Sequence, residues 1–256
     1  MQIRISAISY LNTLPFIYGL KSSSLYPQEI DLRFSTPERA AKDLISRSVD
    51  LGIVPSAIIP QIGKDRIISD YCIGAEGEVA SVLLCSGKPV SDIDHLFLDC
   101  ESTTSALLTR ILFRKHWRSE PSYSLFNANL EEIDSSLSYL LIGDKALLNG
   151  GKFKYVYDLA QEWKNFTGLP FVFACWTSNC DLSDSFKREF NKALEFGVQN
   201  IEKSISLIPK GFDYNFVLNY LTNNVSYKLT PDKRKGLSEF WSLALDELKS
   251  KVRWFG

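Results

Sequence analysis

Ser6-Ala-Ile-Ser-Tyr-Leu-Asn-Thr-Leu-Pro-Phe16 joins a strand to a helix through a short uncharged turn. Upstream, Gln2–Ile8 alternates Ile3, Ile5 and Ile8 with polar neighbours and reads as a strand running from sheet edge to core. Downstream, Phe16-Ile17-Tyr18-Gly19-Leu20 is an apolar helical run. Thr13 is a candidate N-cap, and Pro15 falls in the first helical turn, where proline is tolerated. The turn itself offers Ser9, Tyr10, Asn12 and Thr13: hydroxyls and an amide, with no charge. In an open α/β sheet, strand-to-helix turns of this kind hold ligands. Helix capping alone would also account for Asn12 and Thr13.

The same design recurs along the chain. Glu29–Phe34 alternates as a strand, and Thr36-Pro37-Glu38 opens a helix to about Arg47 with Ala40, Ala41, Leu44 and Ile45 on one face. Asp50–Val54 is a short apolar strand closed by Pro55-Ser56, and an apolar helical turn follows. Ile67–Ile73 and Val79–Cys85 read as two more strands, the second running into Gly87-Lys88-Pro89, the expected crossing between lobes. His95–Leu98 forms a strand, and Ser102-Thr103-Thr104-Ser105 starts a helix, Ala106–Trp117. Strands follow at Ser122–Phe126 and Tyr139–Ile142, the latter ending in Gly143-Asp144. Lys154–Tyr157 is a strand, Leu159–Phe166 a helix and Phe171–Trp176 a strand. From Ser183 onward the strand pattern stops; Ser183–Ile208, Asp213–Leu221 and Pro231–Val252 read as helices.

Alternating strands and helices imply βαβ units and mostly parallel sheet. The strands are too many for one small sheet, so the fold class is α/β with two lobes. The expected division gives residues 1–86 and 177–256 to a discontinuous first lobe and 87–176 to the second, with the C-terminal helices packing back on the first. One doubly wound domain is the alternative.

With 256 residues, 45% hydrophobic and 23% charged, the composition is that of an ordinary globular protein. Lysine and arginine number 29 against 30 acidic residues, a net charge of -1, so no basic field points to nucleic acid or an anionic membrane. The start lacks the charged and apolar regions of a signal peptide, and no apolar run approaches the ~20 residues that span a bilayer. A cytoplasmic protein is the expectation. Five scattered cysteines (Cys72, Cys85, Cys100, Cys175, Cys180) read as reduced thiols used as small hydrophobes. Their spacing suggests no zinc site, and no metal is expected.

Four strand-to-helix turns share one chemistry: Ser9–Thr13, Val54-Pro55-Ser56, Ser102–Ser105 and Gly143-Asp144. Hydroxyls, an amide and the unpaired N–H groups of helix starts suit a carboxylate. Ser102–Ser105 is the clearest, since an N-cap needs one hydroxyl and four successive residues carry one. Ser81 falls inside a strand-like run, where serine is unfavourable unless its hydroxyl has a role. There is no P-loop, GxGxxG, GxSxG or HExxH. His95 opens a strand and His116 ends a helix, so neither makes an attractive general base. Asp50, Asp99 and Asp144 lie by strand ends, where acidic residues are usually structural. Read from its residues alone, the chain describes a two-lobed binder of a small carboxylated ligand held by neutral donors.

Taken together, SYLNTLPF (9–16), DLGIVPS (50–56), EVASVLLCS (78–86), ESTTSALL (101–108), LLIGDKAL (140–147) and YDLAQEWKNFTGLPFVFACW (157–176) resemble the chorismate dehydratase (MqnA) family of the futalosine route to menaquinone. YLTNNVSYKL (220–229) and KGLSEF (235–240) extend the match. The resemblance implies a two-lobed type II periplasmic-binding-protein-like fold with a ligand cleft between the lobes, used as an enzyme: a carbon–oxygen lyase (hydro-lyase) that turns chorismate into 3-[(1-carboxyvinyl)oxy]benzoate. It assigns Asn12 and Ser81 to the reaction. It maps the carboxylate-holding turn to Ser102, Thr103, Thr104 and Ser105; the other strand-to-helix turns add Ser9, Tyr10, Thr13, Pro55, Ser56, Gly143 and Asp144 to the expected substrate-binding set. No cofactor is expected. Chorismate is the expected partner, with no nucleic acid and no membrane; oligomeric state is left open. One departure is Ala80, where the family usually has arginine before SVLL. The competing readings are a solute-binding protein for an anionic metabolite and a related enzyme acting on another cyclohexadienyl or dehydrated sugar-like acid.

Overall fold

A computed structural model describes residues 2–126, 133–208 and 211–250. The last two residues of the expected Pro231–Val252 helix lie outside the described residues.

The chain divides into two compact units: Met1–Ala75 with Val172–Thr230, and Glu76–Phe171 with the segment from Pro231 onward. In the first unit, β1 (Ile3–Ile8) leads through a turn to α1 (Leu14–Lys21), and β2 (Ile30–Ser35) to α2 (Pro37–Ile45). Next come β3 (Leu51–Pro55), α3 (Ile59–Ile62) and β4 (Ile67–Ala75). The second unit holds β5 (Val82–Ser86), β6 (His95–Asp99), α4 (Thr103–Ile111), β7 (Ser122–Phe126), β8 (Ser138–Ile142), α5 (Gly143–Asn149), β9 (Tyr155–Asp158) and α6 (Leu159–Thr167). The first unit resumes with β10 (Phe171–Ser178), α7 (Asp184–Gln199), α8 (Ile201–Ser204), α9 (Tyr214–Asn219) and β11 (Ser226–Lys228). Helix α10 (Pro231–Ser250) belongs to the second.

The first sheet has strand order β11-β4-β10-β3-β1-β2, and the second β7-β6-β8-β5-β9. Both are mixed, which corrects the expectation of mostly parallel sheet. Strand β1 runs parallel to β2 and β3, and β6 parallel to β7 and β8. Strand β10 pairs antiparallel with β3, and β5 antiparallel with β8 and β9. β1 is an inner strand, buried from Ile5 onward, rather than an edge one.

Three parts of the expected division are corrected. Strand β10, given to the second lobe as far as Trp176, pairs with β3 and lies in the first unit from Val172 on. Val82–Ser86 belongs to the second unit because β5 is hydrogen-bonded between β8 and β9. Gly87 marks a close approach instead of a crossing: a Cβ there would fall 2.6 Å from the Ser136 carbonyl. Helix α10 leaves the first unit because its Phe240 ring sits edge-on to Trp163 and Phe171 at 6.3 and 5.1 Å. Its Lys233, fully buried, is also 3.5 Å from Glu76. The fold therefore crosses between units three times, after Ala75, Phe171 and Thr230.

Within the first unit, α1 lies directly against α7. A Cβ on Gly19 would collide with the Ala193 carbonyl, and one on Gly197 with the Pro15 carbonyl, so the two backbones touch only because both positions are glycine. This contact fixes the helix that follows the Asn12 turn.

Candidate active site

In the first unit, Leu11–Thr13 make a single 3-10 turn between β1 and α1. Its shape is set from within. Thr13 is fully buried, and its hydroxyl lies 2.5 Å from the Ile8 carbonyl and 2.8 Å from that of Tyr10. That hydroxyl donates back to the strand end and makes no side-chain cap on α1. Asn12 is half-buried, and its side chain makes no hydrogen bond among the described residues. Ser9 is exposed and Tyr10 half-buried. Asn12 thus presents an uncommitted amide, and Thr13 holds the turn that presents it.

Pro55 ends β3 opposite Ala174. Ser56 is fully buried; its hydroxyl donates to the Val172 carbonyl at 2.6 Å and its amide to that of Phe173 at 2.9 Å. The expected ligand hydroxyl fastens β3 to β10. Phe16 and Trp176 are core residues, with centroids 5.9 Å apart edge to face.

In the second unit, Ser102 caps α4. Its hydroxyl accepts from the Ser105 amide at 3.1 Å and donates to the Ser105 hydroxyl at 2.7 Å. Thr104 and Ser105 are buried. Thr103, the first helical residue, is half-exposed and makes no side-chain hydrogen bond among the described residues. Of the four hydroxyl residues, Thr103 is the one that remains open at the positive end of the helix.

Beneath this turn Asp99, fully buried, accepts the Glu101 amide at 3.0 Å and meets Lys145 at 3.3 Å, while Lys145 is 3.0 Å from Glu101. Burial pushes the Asp99 carboxyl up, against the pull of the Glu101 amide and Lys145. Burial lowers the Lys145 ammonium less than its two carboxylates raise it, so its pKa lies above the ordinary value. The cluster ties the start of α4 to that of α5, where Gly143 is buried and Asp144 half-buried.

Ser81 is not in mid-strand. β5 begins at Val82 because Ala80 is left-handed, with φ 61°. For a residue with a Cβ that conformation costs roughly 1–2 kcal/mol. Ser81 is buried in the bend, its carbonyl accepting the Gly143 amide at 2.7 Å. One carboxylate holds the bend. Asp158 Oδ2 accepts the amides of Val79 at 2.9 Å and Ala80 at 2.6 Å; Oδ1 accepts those of Ala160 at 3.0 Å and Gln161 at 3.2 Å, capping α6. Burial pushes the Asp158 carboxyl up, and its four amide donors pull the other way. Sequence reading missed this residue; a Tyr-Asp-Leu-Ala capping pattern was its only local signal.

Both histidines are committed. His95 Nδ1 lies 2.7 Å from the Ser122 hydroxyl and His116 Nε2 3.1 Å from Glu162, so His116 bridges to α6 instead of ending free on the surface. Asp50 takes a two-pronged ion pair from Arg4, at 2.7 and 3.0 Å. Among the described residues no group of histidine, cysteine and carboxylate side chains could hold a metal ion, and no helix is long and apolar enough to cross a membrane.

Two α/β units of this topology, joined by repeated chain crossings, have the periplasmic-binding-protein fold. Protein AF1704 of Archaeoglobus fulgidus matches with a TM-score of 0.73 at 14% identity, covering 97% of this chain and 98% of that one. A Candida albicans protein, CA3427, described as having the generic periplasmic binding protein fold, matches with a TM-score of 0.55 at 13% identity, covering 99% and 96%. Residues 3–246 match the family model described as menaquinone biosynthesis, and the chain belongs to that family. It is 28% identical over 244 residues to the chorismate dehydratase of Campylobacter jejuni subsp. jejuni serotype O:23/36 (strain 81-176), covering 91% of this chain and 93% of that protein.

Proposed function

We propose that this protein is a chorismate dehydratase, a hydro-lyase that removes water from chorismate to give 3-[(1-carboxyvinyl)oxy]benzoate for menaquinone formation. The similarity to the Campylobacter enzyme, which spans 91% of this chain and 93% of that protein, carries this reading. In the reaction the C3–H bond breaks, its electron pair forms the new ring double bond, and the C4–O bond breaks. The C3 proton passes to a base and from it to the departing C4 hydroxyl, so the net loss is one water, and the ring becomes aromatic. The change is redox-neutral, so the reading calls for no electron carrier, and the cytoplasm is the expected compartment.

Aromatisation supplies the driving force, so the protein's task is orientation and stabilisation of developing charge. With both histidines hydrogen-bonded elsewhere, the base in this reading is the substrate's own enolpyruvyl carboxylate. Asn12, through its uncommitted amide, and Ser81 orient the ring and stabilise enolate-like charge. Thr103, with the open start of α4, holds a carboxylate, supported by Ser102, Thr104 and Ser105; Ser9, Tyr10, Gly143 and Asp144 complete the binding set. Thr13, Pro55 and Ser56 shape it from the core.

Steady-state turnover of chorismate by the Asn12→Ala and Ser81→Ala variants tests these assignments. Each is expected to lower kcat about 100-fold with KM changed less than about threefold, the pattern of contacts made mainly in the transition state. Unchanged kcat in both would remove the two residues from the mechanism.

A further inference from the structure

The segment 76–81 is held in an unfavourable shape by groups outside it. Ala80 has φ 61° without being glycine, and the amides of Val79 and Ala80 converge on one carboxylate oxygen of Asp158. The other oxygen caps α6, so the carboxylate is fixed by the helix it starts. Asp158 is also in the sheet, paired with Leu83 two residues beyond Ser81. From the opposite side, the Ser81 carbonyl takes the Gly143 amide. Glu76, at the head of the segment, is held by the Lys164 ammonium on its carbonyl and by Lys233 on its carboxylate.

We propose that Asp158 is a positioning residue: its carboxylate clamps the left-handed Ala80 bend and thereby sets the Ser81 hydroxyl for the reaction. The assignment of a reaction to Ser81 rests on the function proposed above; the clamp itself does not. A carboxylate suits the task because both of its oxygens accept, and each receives two N–H donors. An asparagine in its place keeps the size but turns one oxygen into a donor facing two amides. The clamp also accounts for alanine at 80, since the conformation is imposed from outside and glycine is not required.

The test is a double-mutant cycle on the full chain with chorismate as substrate. Asp158→Asn is expected to lower kcat at least tenfold with KM within about twofold. In a Ser81→Ala background the same change should have less than a twofold effect, because the hydroxyl being positioned is gone. Asp158→Asn with Ala80→Gly should recover a good part of the lost kcat, glycine adopting the bend unaided. Equal losses in both backgrounds, or no recovery with glycine, would overturn the assignment. Amide hydrogen exchange gives a readout independent of turnover. Val79 and Ala80 should exchange at least tenfold faster in Asp158→Asn than in the parent, and unchanged exchange sinks the clamp. A parent protein that leaves chorismate intact refutes the proposed function, and the exchange measurement then decides the clamp alone. If Asp158→Asn does not fold, the glycine double variant is expected to fold; failure of both overturns the proposal.

Discussion

The amide of Gly143 donates to the carbonyl of Ser81 at 2.7 Å, tying the first residue of α5 to the bend that opens β5. Gly143 makes this bond at φ 56°, a conformation glycine adopts freely and alanine does not. Gly143→Ala is therefore expected to cost about 1–2 kcal/mol of stability, read from urea midpoints, and to lower kcat on chorismate as the Ser81 bend shifts. An alanine variant as stable and active as the parent would show that this backbone link matters to neither.

Asn12 and Thr13 are adjacent but do different work. Thr13→Val leaves the Ile8 carbonyl without its hydroxyl donor inside the core, at an expected cost of about 1–3 kcal/mol. Asn12→Ala removes an amide that braces nothing among the described residues, so its urea midpoint should stay near the parent's while turnover falls. The reverse pattern, with Asn12 structural and Thr13 silent, would contradict the geometry of the turn.

The contact between α1 and α7 leaves no room for a methyl group. Gly19→Ala and Gly197→Ala each force backbone apart, with an expected loss of about 1–3 kcal/mol in chemical denaturation. Gly151→Ala, where nothing lies within 4 Å of the added carbon, is the control and should be near neutral.

Arg4 holds the Asp50 carboxyl below the usual carboxylate range, chiefly through its side-chain hydrogen bonds. A depressed folded-state pKa means stability that is complete above the ordinary aspartate value of about 3.9 and lost as pH falls through the folded value. Compared with Asp50→Asn, the parent should be more stable near neutrality, and the gap should close in acid. Urea midpoints measured across that range check this; a gap independent of pH would mean that the ion pair contributes nothing.

The alternation of apolar and polar residues made the strand–turn–helix around Asn12 legible, along with most other elements, because those signals are local. Ser122–Phe126 lies where its pattern places it. Three features were not legible, each for a physical reason. β11 is three residues long, too short to display a period of two. Gly87-Lys88-Pro89 has the composition of a linker, yet its glycine is there to let a backbone pass. The late start of β5 comes from a left-handed alanine stabilised by a carboxylate 78 residues away, and no window around Ser81 contains that information. In the same way, the hydroxyls of Ser56 and Ser102 look alike in sequence. Only their partners distinguish a sheet fastener from a helix cap.

The most direct measurement is the mass spectrum of chorismate after incubation with the purified protein. The account predicts a new aromatic acid lighter than chorismate by one water, formed in proportion to enzyme and time. Chorismate recovered intact, even if tightly bound, would contradict it and leave a binding protein in place of an enzyme.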